Sequence, residues 1–101
     1  MDVRGLALIE AFCRIHRDVD GPLLRWVAIV QRVQWLNFPE CRKTFPHADQ
    51  VRISSGVVTV FNIKGNRYRL VVAVAYVGNL VVIRRIMTHK EYSDDRWKDL
   101  L

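Results

Sequence analysis

Two Gly-Asn pairs, Gly65-Asn66 and Gly78-Asn79, lie in the stretch Phe61 to Tyr92, FNIKGNRYRLVVAVAYVGNLVVIRRIMTHKEY, each between runs rich in Val, Ile and Tyr. Glycine supplies the positive φ that a primed two-residue turn needs at its first central position, so Gly-Asn between β-formers signals a hairpin. Two such signals in tandem predict a three-stranded antiparallel meander. With two-residue loops the register follows by arithmetic: Asn62 opposes Arg69 across the first hairpin, and Leu70 opposes Met87 across the second.

Opposed residues share a sheet face. One face then collects Asn62, Lys64, Arg67, Arg69, Arg84, Thr88 and Lys90. The other collects Phe61, Ile63, Tyr68, Leu70, Val72, Val74, Tyr76, Val81, Ile83 and Met87. The expectation is a sheet with one face on a core and a cationic surface toward one end of the other. Arg85 is the exception: it falls on the apolar face, and either snorkels to an edge or marks a bulge in the register. Arg84 lies four residues from Thr88, the expected partner of Arg69, roughly 13 Å at about 3.4 Å per residue. Two long side chains at that spacing reach neighbouring phosphates.

A chain of 101 residues suits one domain over 1–101, with a single core. Sixteen Lys and Arg against ten Asp and Glu give a formal net charge of +6, and Phe61 to Tyr92 carries six of those cations and one anion. Most of the imbalance therefore sits in the meander. It points to a polyanionic partner, nucleic acid ahead of an anionic membrane. Cys13 and Cys41 have neither metal-ligand spacing nor a dense disulfide pattern, which suits reduced thiols in a cytoplasmic protein. The start, MDVRGLALIEAF, has charge inside its apolar run and no small-residue cleavage site, unlike a signal peptide. Leu70 to Val77, the longest apolar run, is too short to cross a bilayer as a helix. No membrane partner is expected.

In chain order, Leu8, Phe12 and Ile15 recur on one stripe of a helix expected from Val3 to about Arg17. Asp18 to Pro22 interrupts it, with Asp20 the expected N-cap and Pro22 an early position of a second helix that runs to about Trp35. Its inward stripe is Leu23, Trp26, Val27 and Val30. Leu36 to Gln50 reads as a connector packed through Phe38 and Phe45. Val51 to Ile53 reads as a short strand, Ser54-Ser55-Gly56 as a turn, and Val57 to Ile63 as the strand entering the meander. Ser93 is placed to cap a short final helix through Lys98. Trp26, Trp35 and Trp97 read as packing residues. The result is an α+β fold: two N-terminal helices packed on a mostly antiparallel sheet, then a short C-terminal helix.

His16, His47 and His89 are too scattered for a metal site, and no phosphate-cradling glycine loop or serine triad is visible. No metal or other cofactor is expected. What remains is His89 and Tyr92 beside Lys64, Arg67, Arg69, Arg84 and Lys90. RNA cleavage without metal needs a group to take the ribose 2′-hydroxyl proton, a cation for the phosphorane, and an acid for the 5′-oxygen. Histidine suits proton transfer near neutrality, arginine matches paired phosphate oxygens, and tyrosine stacks on a base or donates a proton. Against this, a lone histidine after a strand is often a capping residue, Tyr92 could anchor the final helix, and Arg67 and Arg69 could be a solvated strand face. The fall of Lys64, Arg84 and Lys90 on that same face favours the chemical reading.

The strings FPHADQV, VFNIKGNRYRLV and IRRIMTHKEY resemble the HigB-type toxins of bacterial type II toxin–antitoxin modules, a branch of the RelE-like superfamily. The positions around Trp26 and Trp35 also look like that family. The resemblance implies a compact α+β fold and an mRNA interferase: a ribosome-dependent, metal-independent endoribonuclease that cuts translated mRNA in the A site and stops translation. It implies as partners a helix-turn-helix antitoxin of the HigA type, mRNA and ribosomal RNA. Arg69 of YRL, Arg84 of the IR pair, and His89 and Tyr92 of THKEY match the family pattern as catalytic residues. The general base is open between His89 and Tyr92. Lys64 and Arg67 of the hairpin, with Lys90, are expected to hold flanking phosphates or ribosomal RNA. Arg85 departs from the pattern, since a non-basic residue is common there. Two other readings remain: a non-catalytic module of the same fold that inhibits a protein such as DNA gyrase, as ParE-like relatives do, and a basic RNA-binding protein without cleavage.

Overall fold

The computed structural model describes all 101 residues, Met1–Leu101. Its elements are β1 (Asp2–Arg4), α1 (Leu6–Ile15), a 3-10 turn (Arg17–Val19), α2 (Asp20–Arg32), α3 (Phe38–Thr44), β2 (Asp49–Ile53), β3 (Gly56–Ile63), β4 (Tyr68–Ala75), β5 (Leu80–Thr88), α4 (His89–Ser93) and α5 (Trp97–Leu100). The five strands form one sheet in the order β1-β5-β4-β3-β2. All neighbours are antiparallel except β1, which lies parallel to β5. No helix is long and apolar enough to cross a membrane.

The inner face of the sheet carries α1, α2 and α3. Leu23, Trp26, Val27 and Val30 of α2 are all buried there, as their helical spacing requires. They meet Phe61, Ile63, Tyr68, Leu70, Val72, Val81 and Ile83, which the meander alternation assigns to this face. Phe61 is the centre of an aromatic cluster, its ring centroid 5.4 Å from Trp26, 5.2 Å from Phe45 and 6.3 Å from Trp35.

Several expectations are corrected. The N-terminal segment opens as β1, and α1 starts only at Leu6. Gly5 makes the corner at φ +92°, where a Cβ would lie 2.9 Å from the Ile83 carbonyl oxygen. Only glycine fits that approach. The buried stripe of α1 is Ile9 and Cys13, with Phe12 half-buried, whereas Leu8 and Ile15 are exposed. Asp20 lies inside α2 and does not cap it, because the 3-10 turn runs straight into that helix. The connector holds α3, whose Asn37 side chain accepts from the Glu40 N–H at 3.0 Å while Glu40 accepts from the Leu36 N–H at 2.7 Å. Asn-x-Pro-Glu was the sequence sign of this helix.

The first hairpin keeps the expected register, Asn62 opposite Arg69. The second does not. Tyr76 to Asn79 forms a four-residue loop with the positive φ at Asn79, +54°, and Ala75 pairs with Leu80. Between Val71 and Val72 the pairing with β5 then slips by one: Val72 faces Ile83, Val71 faces Arg85, and Arg84 has no partner. This is a β-bulge, two residues against one. Met87 consequently opposes Arg69 and leaves the inner face, and Thr88, opposite Tyr68, joins it.

The outer face is not a bare cationic surface. Ile53, Val58, Val60, Val71 and Met87 make a second cluster there, closed by Trp97. Strands buried on both sides read as continuous apolar runs, and Leu70 to Val74 is such a run. Ser93 ends α4 and caps nothing; the expected single final helix is two short ones, with α4 capped by Thr88.

Candidate functional site

The outer face beside α4 holds the candidate site. Arg69, on β4 between Met87 of β5 and Asn62 of β3, is only 9% exposed. Its guanidinium donates to the Asn66 carbonyl at 3.1 Å, the Tyr68 carbonyl at 3.2 Å and the Asn66 side-chain oxygen at 3.3 Å. It also lies 5.4 Å from the centroid of the Tyr92 ring. None of the five ion pairs in the structure involves it. The direct partners of this buried cation are neutral oxygens and a ring face, and none of them supplies a compensating charge.

Tyr92 stacks on Trp97 at 5.3 Å, and the Trp97 Nε1–H donates to the Tyr92 carbonyl at 3.0 Å. Burial, helped by the nearby Asp49 carboxylate, pushes the Tyr92 phenol above its ordinary pKa of 10.0, against the lowering effect of Arg69. Its hydroxyl is therefore protonated at neutral pH.

His89 opens α4. In the run THKE, Thr88 and Glu91 form a capping box: Thr88 accepts from the Glu91 N–H at 3.2 Å, and Glu91 accepts from the Thr88 N–H at 3.1 Å. Those two residues hold the helix start and leave His89 and Lys90 exposed. The His89 ring is 3.4 Å from the Ser93 hydroxyl through Nδ1, and its backbone N–H donates to the Arg67 carbonyl at 2.9 Å.

The bulge explains Arg85. Alternation from Ile83 puts Arg84 on the outer face, and the pairing with Val71 puts Arg85 there as well. Both arginines thus lie on the side of Arg69. Arg85 lines a cleft of about 370 Å³ with Met87, Glu91, Asp94, Arg96, Trp97 and Leu100. The bulge also places Arg84 three residues from Met87, the actual partner of Arg69, one position nearer than the simple register has it.

Lys64 and Arg67 are drawn elsewhere. At the tip of the β3–β4 hairpin they meet Asp18 of the 3-10 turn, at 3.0 Å and 3.3 Å. His47, which the sequence offered only as one of three scattered histidines, lines a cleft of about 440 Å³ with Asn62, Gly65 and Asn66, beside the Arg69 site. Its position in the FPHADQV string was the available signal. No three His, Cys, Asp or Glu side chains form a metal-holding group.

Helices on one face of a five-stranded, mostly antiparallel sheet, with a C-terminal helical segment folded over a buried arginine on the other, form a RelE-like α+β fold. The class is the toxic component of a toxin–antitoxin system. Residues 19–95 match the model of the HigB toxin family, described as the RelE-like toxic component of a toxin-antitoxin system, and the chain belongs to that family. Its partner is accordingly an antitoxin. Comparison with curated proteins gives no match.

Proposed function

We propose that this toxin is a ribosome-dependent endoribonuclease that cuts translated mRNA in the A site by side-chain chemistry alone. The observation that carries the reading is Arg69: a guanidinium nine-tenths buried, in no ion pair, against the ring of Tyr92. A phosphodiester of the message supplies the missing anion. The ribose 2′-hydroxyl attacks phosphorus, the 5′-oxygen leaves, and the products are a 2′,3′-cyclic phosphate, or its opened 3′-phosphate, and a 5′-hydroxyl.

Arg69 and Arg84 hold the scissile phosphate and stabilise charge on the phosphorane, where fixed donors act most strongly. His89 and Tyr92 divide proton transfer and base stacking. The stack of Tyr92 on Trp97 and against Arg69 suits base stacking or proton donation, and the exposed ring of His89 suits proton removal. Lys90, and the exposed part of Arg67, meet flanking phosphates or ribosomal RNA, and Lys64 joins them when its ion pair opens. The expected antitoxin is a HigA-type helix-turn-helix protein, and the expected compartment is the cytoplasm.

The test is primer extension on a defined mRNA in a reconstituted translation reaction, with wild type, Arg84→Ala and His89→Ala, with and without ribosomes. Ribosome-dependent cuts at in-frame codons, lost in both variants, support the proposal. Cuts that leave a 3′-hydroxyl refute the mechanism. No cuts at all would move the assignment to a binding toxin, with DNA gyrase the next target to assay.

A further inference from the structure

Three side chains of the β3–β4 hairpin converge on one carboxylate. Asp18 accepts from Lys64 Nζ at 3.0 Å, Arg67 Nη1 at 3.3 Å and the Tyr68 hydroxyl at 2.7 Å. The residues are separated from Asp18 by 46, 49 and 50 positions, so the contact ties the α1–α2 junction to the hairpin tip. An exposed ion pair by itself is worth little. Here the same carboxylate also serves a buried tyrosine, whose ring is fixed by Phe12 and His16, each with a centroid 5.6 Å away.

The tip is also conformationally particular. Lys64 and Gly65 both have positive φ, +53° and +64°, and the Arg67 N–H closes the turn onto the Lys64 carbonyl at 3.3 Å. A lysine in that region is disfavoured and persists where surrounding contacts hold it. Lys64 is held by its ion pair with Asp18.

What the tip holds in turn is the site. The Asn66 carbonyl and side chain and the Tyr68 carbonyl fix the Arg69 guanidinium, and the Arg67 carbonyl receives the His89 N–H that starts α4. We infer that Asp18 is a positioning residue of the cleavage site: by clamping Lys64, Arg67 and Tyr68 it sets the hairpin carbonyls that aim Arg69 and His89, and it offsets part of the charge that Lys64 and Arg67 present to RNA. The cleavage part of this inference rests on the function proposed above. The clamp itself does not.

Asp18→Asn then has two opposed effects. Releasing Lys64 and Arg67 strengthens binding to single-stranded RNA and steepens the dependence of log K on log salt, by about 0.7 for each further phosphate met. Loosening the carbonyls lowers kcat for cleavage about tenfold or more with KM little changed, since small displacements of a catalytic cation are costly. Removing the Asp18 charge by itself raises RNA affinity, so the clamp is distinguished by Tyr68→Phe, which keeps that charge and should still speed His89 exchange and lower turnover.

The experiment uses the full chain in three forms: wild type, Asp18→Asn and Tyr68→Phe. The last keeps the ring packing and both ion pairs and removes only the hydroxyl contact, which guards against a folding failure in Asp18→Asn. Binding is read by fluorescence anisotropy on a 2′-O-methyl RNA that cannot be cut, across a salt series. Hydrogen exchange reads the His89 amide, and cleavage is read on translating ribosomes. Expected are tighter, more salt-dependent binding in Asp18→Asn only, faster His89 exchange in both variants, and reduced kcat in both. An unchanged salt slope with unchanged His89 exchange overturns the clamp. Altered binding and exchange with undiminished wild-type-like cleavage overturns the positioning role. If wild type cuts nothing while binding and exchange respond as expected, the proposed function fails and the clamp stands.

Discussion

Arg69→Met separates the two things a buried guanidinium can do. If Arg69 is a structural prop, its loss destabilises the fold; if it waits for a phosphate, its loss is nearly neutral for folding and severe for cleavage. The magnitudes follow from its surroundings. Removing an ion without a counter-ion from the interior relieves a penalty of several kcal/mol. Against this stand three hydrogen bonds, each about 1.5 kcal/mol for a charged donor, and the Tyr92 ring face, about 1 kcal/mol. The opposing sets nearly cancel. Methionine, flexible and apolar, fills the space beside Met87 and Tyr92. Stability is therefore expected within about 1 kcal/mol of wild type, or about 4–8 °C in Tm. Truncating a packed side chain at a comparable depth costs about 3–5 kcal/mol. Cleavage falls at least about 10²–10³-fold, the usual loss when one donor to developing charge is removed. Thermal denaturation by circular dichroism and ribosome-dependent primer extension measure the two quantities on one preparation. A fall in Tm of about 15 °C or more, or cleavage at the wild-type rate, would refute the reasoning.

Gly5→Ala forces a Cβ to 2.9 Å from the Ile83 carbonyl at a φ of +92°, and should cost about 2–3 kcal/mol in a chemical denaturation series by displacing β1 from β5. Tyr92→Phe keeps the stack on Trp97 and the face toward Arg69 and loses only the hydroxyl; kcat should fall about 10²-fold if that proton is donated, with Tm unchanged. Because the Tyr92 pKa is raised, the donating form persists to higher pH, and the alkaline fall of the wild-type rate should begin above pH 10.0 if Tyr92 sets it. Asp18, beside Lys64, Arg67 and Tyr68, is held down to about 2 by its hydrogen bonds to Tyr68 and Lys64, below its ordinary 3.8. A depressed carboxylate stabilises the fold above its unfolded pKa and loses that contribution as pH falls toward 2. Acid unfolding of Asp18→Asn should therefore lack this limb, and a wild-type and variant difference that grows above pH 5 would contradict it. Trp97→Ala should cost about 3 kcal/mol and open the outer cluster first, seen as faster hydrogen exchange in α5 and β2.

Much of the inner face was legible in the one-dimensional pattern. The α2 stripe and the meander alternation each repeat a period that the backbone imposes, so Leu23, Trp26, Val27 and Val30 could be matched to Phe61, Leu70 and Ile83 without coordinates. Leu8 and Ile15 share a helical period with Phe12, but the fold covers only Phe12 of the three, and the buried stripe of α1 is Ile9 and Cys13. The capping signals at Asn37 and Thr88 are written in the sequence, but Asn37 lies in a segment without a sustained period and Thr88 at the end of a strand run, where neither stands out from its neighbours.

The sequence by itself determined the α+β class, the first hairpin and its register, the apolar identity of the inner face, and the concentration of cations between Phe61 and Tyr92. These depend on neighbours a few residues apart, where periodicity and turn chemistry act. The tertiary structure alone decided the bulge that puts Arg84 and Arg85 on one face, the burial of Arg69 under Tyr92, the cover supplied by Trp97, and the capture of Lys64 and Arg67 by Asp18. Each of these joins residues distant in the chain, and no local period carries their separation. A charge in a sequence has only a sign; whether it is solvated, paired or buried without a counter-ion is settled by what the fold brings against it.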